Sequence, residues 1–210
     1  MYFCKNFRTH HRKRIMLVGY DANNVFRNGG ELGDWSRTLV EKLASLHVAD
    51  YRALLFSTRI KSAYKTYYTS YANVSTYVPE GSSKLFPAAW MRYRLNQWLK
   101  DERVKVFHGL NEELPYGIGR SVKTMVTCFG LEEHHQTSMM DSLMWKRRMS
   151  YAWRASDVVV AVSEEVKQQL IAADVVEDKI VVIGGKSPFE LTDQMVQQYY
   201  ELYKHLAGEG

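Results

Sequence analysis

Ile15-Met16-Leu17-Val18-Gly19-Tyr20-Asp21 is followed shortly by Asn28-Gly29-Gly30-Glu31-Leu32-Gly33-Asp34. The first stretch is short, apolar and bounded by polar residues, which suits a strand buried on both faces of a parallel sheet. The second is a glycine-rich turn. Behind it Trp35, Leu39, Leu43 and Leu46 recur at steps of three and four, which predicts a helix over 34–47 with one apolar face. Strand, turn and helix in this order open a βαβ unit. The pattern continues with strand segments at Tyr51–Ser57, Val74–Val78, Val104–Phe107, Val122–Cys128, Val158–Val162 and Ile180–Ile183. Helical spacing appears around Trp90, Leu95, Trp98 and Leu99, near 139–154 and over 164–173. Tyr64, Tyr67, Tyr68 and Tyr71 form an aromatic segment with no assigned conformation. No hairpin turn joins neighbouring strand segments, so the fold class is α/β: one open, doubly wound parallel sheet with helices on both faces.

A last helix is expected within 187–210. Ser187 would cap it, Pro188 would take its first position and Glu190 would complete a capping box. Met195, Tyr199, Leu202, Tyr203 and Leu206 would face the sheet domain. The domain itself spans 15–186, without repeats, low-complexity stretches or a linker.

The chain has 210 residues, 46% hydrophobic and 24% charged, with a formal net charge of +5. This excludes disordered, collagen-like and disulfide-scaffold classes. The charge is not spread evenly. Residues 1–14 hold Lys5, Arg8, Arg12, Lys13 and Arg14 and no acid, which leaves the rest of the chain balanced. A neutral body argues against a nucleic-acid partner. The basic tail could at most give peripheral contact with an anionic membrane. Cys4 and Cys128 form no disulfide framework or paired metal motif, and no Cys/His cluster has zinc-ligand spacing. His10-His11 and His134-His135 are read as surface pairs. With no apolar run of bilayer length and no signal-peptide h-region, a cytoplasmic protein is expected, with the inner face of the membrane as an alternative place of work. No cofactor and no metal are expected.

Three places could carry chemistry. Asn28, Gly29, Gly30 and Gly33 lie where an open α/β sheet binds anions, although Glu31 and Asp34 would repel a diphosphate; a phosphate site and a plain tight turn both remain open. The segment from Phe107 to Gly117 follows a strand and carries His108, Asn111 and Glu112 at the same sheet edge. His108 reads either as a general base or as a hydrogen-bonded histidine at a strand end. Ser163 with Glu164 and Glu165 reads as a helix cap, and Lys146-Arg147-Arg148 as a solvated face. No nucleophile elbow, Walker loop or kinase signature occurs.

The blocks Gly19–Ala22 with Asn28–Val40, Phe107–Ile118, Val126–Leu131 and Ala155–Ile183 occur in an order that resembles the N-terminal domain of family 4 glycosyltransferases. The resemblance is closest to members of bacterial surface polysaccharide assembly. It implies a single Rossmann-like domain, the N-terminal half of a GT-B fold, closed by a C-terminal helix. It also implies a glycan or lipid-linked acceptor, and a glycosyltransferase-type protein partner or a second copy of the chain. The departures are specific. Where the family commonly has Thr-Gly-Leu-Gly, this chain has Gly30-Glu31-Leu32-Gly33. Where the family has Thr-x-His-Asp-Leu, it has Thr127-Cys128-Phe129-Gly130-Leu131, and neither Phe129 nor Gly130 has a side chain that exchanges a proton. The chain runs from Ile183-Gly184-Gly185 into the final helix with no second Rossmann-like domain between. Its one Glu-x7-Glu spacing, Glu201 to Glu209, is read as chance. The expectation is a domain without transferase activity of its own, acting as an acceptor- or partner-binding module. The alternative is the acceptor half of a split enzyme. An apolar cleft face, with Phe129 or Leu110 exposed, would point to a partner.

Overall fold

The computed structural model describes residues 15–110, 112–118, 121–131 and 139–208. The readings placed on residues 1–14, on Asn111, on His134-His135 and on Glu209 lie outside them. Seven strands form one sheet: β1 (Met16–Asp21), β2 (Tyr51–Phe56), β3 (Val74–Tyr77), β4 (Val106–Gly109), β5 (Lys123–Cys128), β6 (Val158–Ala161) and β7 (Ile180–Val182). Their order is β3-β2-β1-β4-β5-β6-β7. Every pair is parallel. The order reverses between β1 and β4, where loops from the two halves of the sheet diverge and open a crevice.

Between the strands run α1 (Asn23–Arg27), α2 (Glu31–Leu46), α3 (Pro87–Ala89), α4 (Leu95–Asp101), α5 (Met139–Ala155), α6 (Glu164–Ala172) and α7 (Asp193–Ala207). A π-helical turn, Trp90–Arg94, joins α3 to α4. Alternation along the strands divides the core. Tyr20 and His108 face α7, whose Tyr199 and Tyr203 are fully buried against them. Phe56 and Phe107 pack towards Trp90 on the opposite face, with Leu95 and Leu99 also buried. Helices therefore cover both faces, as the strand–helix alternation predicts.

Two helix starts differ from the sequence reading. Helix α2 begins at Glu31, three residues early, so Asp34 lies inside its first turn and does not cap it. Helix α7 begins at Asp193, with Thr192 as its cap. The Thr192 hydroxyl accepts the Met195 N–H at 3.3 Å, and Met195 Sδ accepts the Thr192 N–H. Ser187-Pro188 instead forms a turn, in which the Glu190 N–H donates to the Ser187 carbonyl at 3.1 Å. The Glu190 carboxylate turns back to the Lys186 N–H. The reason is tertiary: Phe189 stacks on Phe129 at 5.3 Å, so the chain crosses the end of β5 before it can turn helical. At α6 the cap is as expected, with Ser163 Oγ accepting the Val166 N–H at 3.1 Å.

Candidate functional site

The crevice at the C-terminal edge of the sheet is a polar cleft of about 690 Å³. Its base is built by Asp21 and Asn23. The Asp21 carboxylate accepts the Asn23 backbone N–H at 3.1 Å and its side-chain amide at 2.8 Å. The Asn23 side-chain oxygen Oδ1 in turn accepts from the Thr58 N–H and hydroxyl. One asparagine thus staples the end of β1 to the loop after β2. Arg27 donates to the Thr58 hydroxyl at 3.0 Å, and Arg59 and Lys61 continue the same wall. Across the cleft Arg148 of α5 pairs with Glu113 at 2.9 Å. Arg148 was read as part of a solvated face; it is half-buried and in the cleft, whereas Lys146 and Arg147 are exposed.

The glycine-rich turn divides into two roles. Asn28 and Gly29 line the cleft. Gly30 donates its N–H to Asn28 Oδ1 at 2.8 Å. Gly33 faces away, and a Cβ there would overlap the carbonyl of Asn28, so close packing demands this glycine. The turn is held from behind by Arg37, which is buried and donates to the carbonyls of Val25 and Asn28 at 2.8 and 2.9 Å and to Asp34 at 2.5 Å. Tyr64, from the aromatic segment, lies over that guanidinium at 4.5 Å. Of the two open readings, the arrangement supports a tight turn. Its anionic first helical turn holds Glu31 and Asp34, which oppose a phosphate at that point.

His108 and Glu112 are not ligand-facing, contrary to expectation. His108 is completely buried. Its Nδ1 is hydrogen-bonded to the Tyr203 hydroxyl and its Nε2 to the Thr127 hydroxyl, both at 2.8 Å. Thr127 continues to the Tyr199 hydroxyl at 3.1 Å. A neutral imidazole satisfies this chain with one nitrogen donating and the other accepting. Burial pushes its pKa down to about 3, so it has neither the access nor the basicity of a general base. Tyr203→Phe should leave Nδ1 buried without its partner and destabilise the fold by about 1–3 kcal/mol, read as a lower urea midpoint at unchanged slope. An unchanged midpoint would show that the hydroxyl contributes nothing.

Glu112 turns inward with a φ of 61° and is 4% exposed. Its carboxylate accepts the Phe129 N–H at 2.8 Å. Burial raises its pKa to about 7, against the lowering effect of that bond. Phe129 is packed edge-on to Trp35 at 4.9 Å and stacked under Phe189. Leu110 is fully buried. The apolar residues expected to expose a partner face are therefore covered by the chain itself. After Gly130, the Leu131 N–H is held by the Gln169 side chain at 3.1 Å. Among the described residues, no group of three or more His, Cys, Asp or Glu could hold a metal. None of their helices is long and apolar enough to cross a membrane.

A seven-stranded parallel sheet of this order, with helices on both faces and a polar cleft at its switch point, defines a Rossmann-like α/β class. The chain belongs to Glycosyltransferase Family 4, whose family description matches residues 36–185. Its fold is similar to a glycosyltransferase from Rickettsia africae ESF-5, with 19% identity, 91% of this chain and 50% of that one covered, and a TM-score of 0.51. It is similar to Anabaena Alr3699/HepE in complex with UDP, with 11% identity, 81% and 43% coverage and a TM-score of 0.51. UDP-N-acetylglucosamine 2-epimerase from Rickettsia bellii gives 10% identity, 90% and 48% coverage and a TM-score of 0.52. At these identities the likeness is one of fold. The chain spans about half the length of these proteins. No curated protein sequence matches it.

Proposed function

We propose that this chain is a glycosyltransferase-like domain that binds a glycan or lipid-linked acceptor in the cleft at the β1/β4 switch point, within surface polysaccharide assembly, and transfers no sugar by itself. One observation carries the reading. Where the family resemblance places a His-Asp pair, this chain has Phe129 and Gly130, and Phe129 is packed between Trp35 and Phe189. Hydrocarbon in that position cannot take a proton from an acceptor hydroxyl or orient it. The cleft, in contrast, keeps the polar lining that a hydrophilic acceptor needs. The expected result is that the purified chain neither transfers nor hydrolyses sugar from UDP-glucose or UDP-N-acetylglucosamine. Turnover above a heat-treated control would overturn the proposal.

The open cleft favours a second reading, in which a separate donor-binding chain completes a split enzyme. Activity that appears only in a mixture with such a chain would support it. Absence of any copurifying Rossmann-like chain would count against it.

A further inference from the structure

Cations outnumber carboxylates around the cleft, and the two carboxylates are already engaged. Glu113 is paired with Arg148. Asp21 is 5% exposed and accepts both nitrogens of Asn23. On the opposite wall stand Arg27, Arg59 and Lys61, all exposed. Arg27 is fixed by the Thr58 hydroxyl, which uses one of its five N–H donors and leaves the others to the cleft. Among the described residues, neither Arg59 nor Lys61 is paired with a carboxylate. Three cations on one wall of a concave space create a field that favours a multiply charged anion over a neutral hydroxyl group.

We infer that the group bound against Arg27, Arg59 and Lys61 is a phosphate or diphosphate carried by the glycan. This rests on the reading of the cleft as an acceptor site and narrows the chemistry of what occupies it. Asn23, Asn28 and Thr58 border the same cleft. They supply neutral donors and acceptors of the kind that sugar hydroxyls require, so the charged and uncharged parts of one ligand meet different sections of the lining. The shared chemistry could come from a soluble sugar phosphate or from a lipid-linked diphosphate sugar.

Titration calorimetry should compare four probes at low salt: methyl glucoside, glucose 1-phosphate, inorganic phosphate, and N-acetylglucosamine linked through diphosphate to a short isoprenyl chain in mild detergent. Each is titrated into the full chain and into an Arg59→Ala/Lys61→Ala variant. Both substituted side chains are exposed and make no hydrogen bond among the described residues, so the variant should fold, and its circular dichroism checks this. At least one phosphorylated sugar should bind ten-fold or more tightly than methyl glucoside, and the variant should lose that preference. Tighter binding of glucose 1-phosphate identifies a soluble ligand, and tighter binding of the isoprenyl probe a lipid-linked one. Equal binding of neutral and phosphorylated sugars, or a preference unchanged in the variant, would overturn the anionic ligand while leaving glycan binding intact. Inorganic phosphate binding as tightly as any sugar phosphate would overturn the glycan and leave an anion site. No binding of any probe would overturn both.

Discussion

Gly184→Ala is expected to destabilise the fold by about 3 kcal/mol or more, a fall of about 6–12 °C in melting temperature for a domain of this size. Gly184 leaves β7 directly against the end of β6, and a Cβ on it would overlap the carbonyl oxygen and carbon of Val162. Neither backbone can retreat cheaply. The Ile183 N–H is bonded to the Ala161 carbonyl at 3.0 Å, and Ser163 caps α6. Moving Val162 would therefore break a strand pairing or a helix start. Gly29→Ala is the control, because a Cβ there meets only the Tyr64 hydroxyl at 3.7 Å, an ordinary contact. Urea unfolding of both variants checks the expectation. Equal midpoints would mean that the two turns are equally free to shift.

The second large effect lies in the pH dependence of stability, where two buried groups oppose each other. His108 titrates at about 3 in the fold against 6.5 in the unfolded chain, because burial disfavours imidazolium. As pH falls from 6.5 to 3, the unfolded chain takes up a proton that the native one refuses. Stability then drops by about 1.4 kcal/mol per pH unit. Glu112 titrates at about 7 against 4.5 unfolded, because burial disfavours its carboxylate. Its contribution is complete below 4.5 and is lost, at the same slope, as pH rises to 7. Between 4.5 and 6.5 the two slopes cancel, so these groups together give a plateau with losses on either side.

Glu112→Gln removes one side of this balance. Its amide oxygen can still accept the Phe129 N–H, and it carries no charge to desolvate. The variant should be more stable than the parent by about 3 kcal/mol above pH 7 and equal to it below about 4.5. The difference between the two unfolding curves over pH 4–8 isolates Glu112 from every other titrating group. A difference that stays constant across that range would refute the assignment.

The sheet was legible because strands buried on both faces leave short, mostly apolar runs between polar and turn residues. Met16–Asp21, Lys123–Cys128 and Val158–Ala161 lie within a residue or two of their sequence expectations. What the sequence hid was the set of partners that only tertiary structure supplies. Ser187, Pro188 and Glu190 have the chemistry of a helix start, but the stacking of Phe189 on Phe129 takes that segment for something else. His108 and Glu112 sit at the correct sheet edge. Nothing in their own neighbourhood shows that Tyr199 and Tyr203, far along the chain, bury the first, or that the second folds inward to the Phe129 N–H. Arg27, Thr58, Arg59 and Lys61 were missed as a group. A signal for them existed: polar residues immediately beyond the first two strands, at the carboxyl edge of the expected parallel sheet, where ligands of open α/β sheets bind.

The placement of α7 bears on how the chain is made. The sheet centre is closed by tyrosines from Asp193–Ala207, which pack on strands synthesised much earlier. While the ribosome is still adding those residues, His108 and Thr127 have no hydroxyl partners from α7, and the face of β1 and β4 stays wet. Vectorial synthesis can order the local strand–helix units as they emerge, but it cannot finish the core one unit at a time. A nascent chain stalled before Tyr199 should therefore be open to proteases and to chaperones, even though all seven strands already exist in sequence.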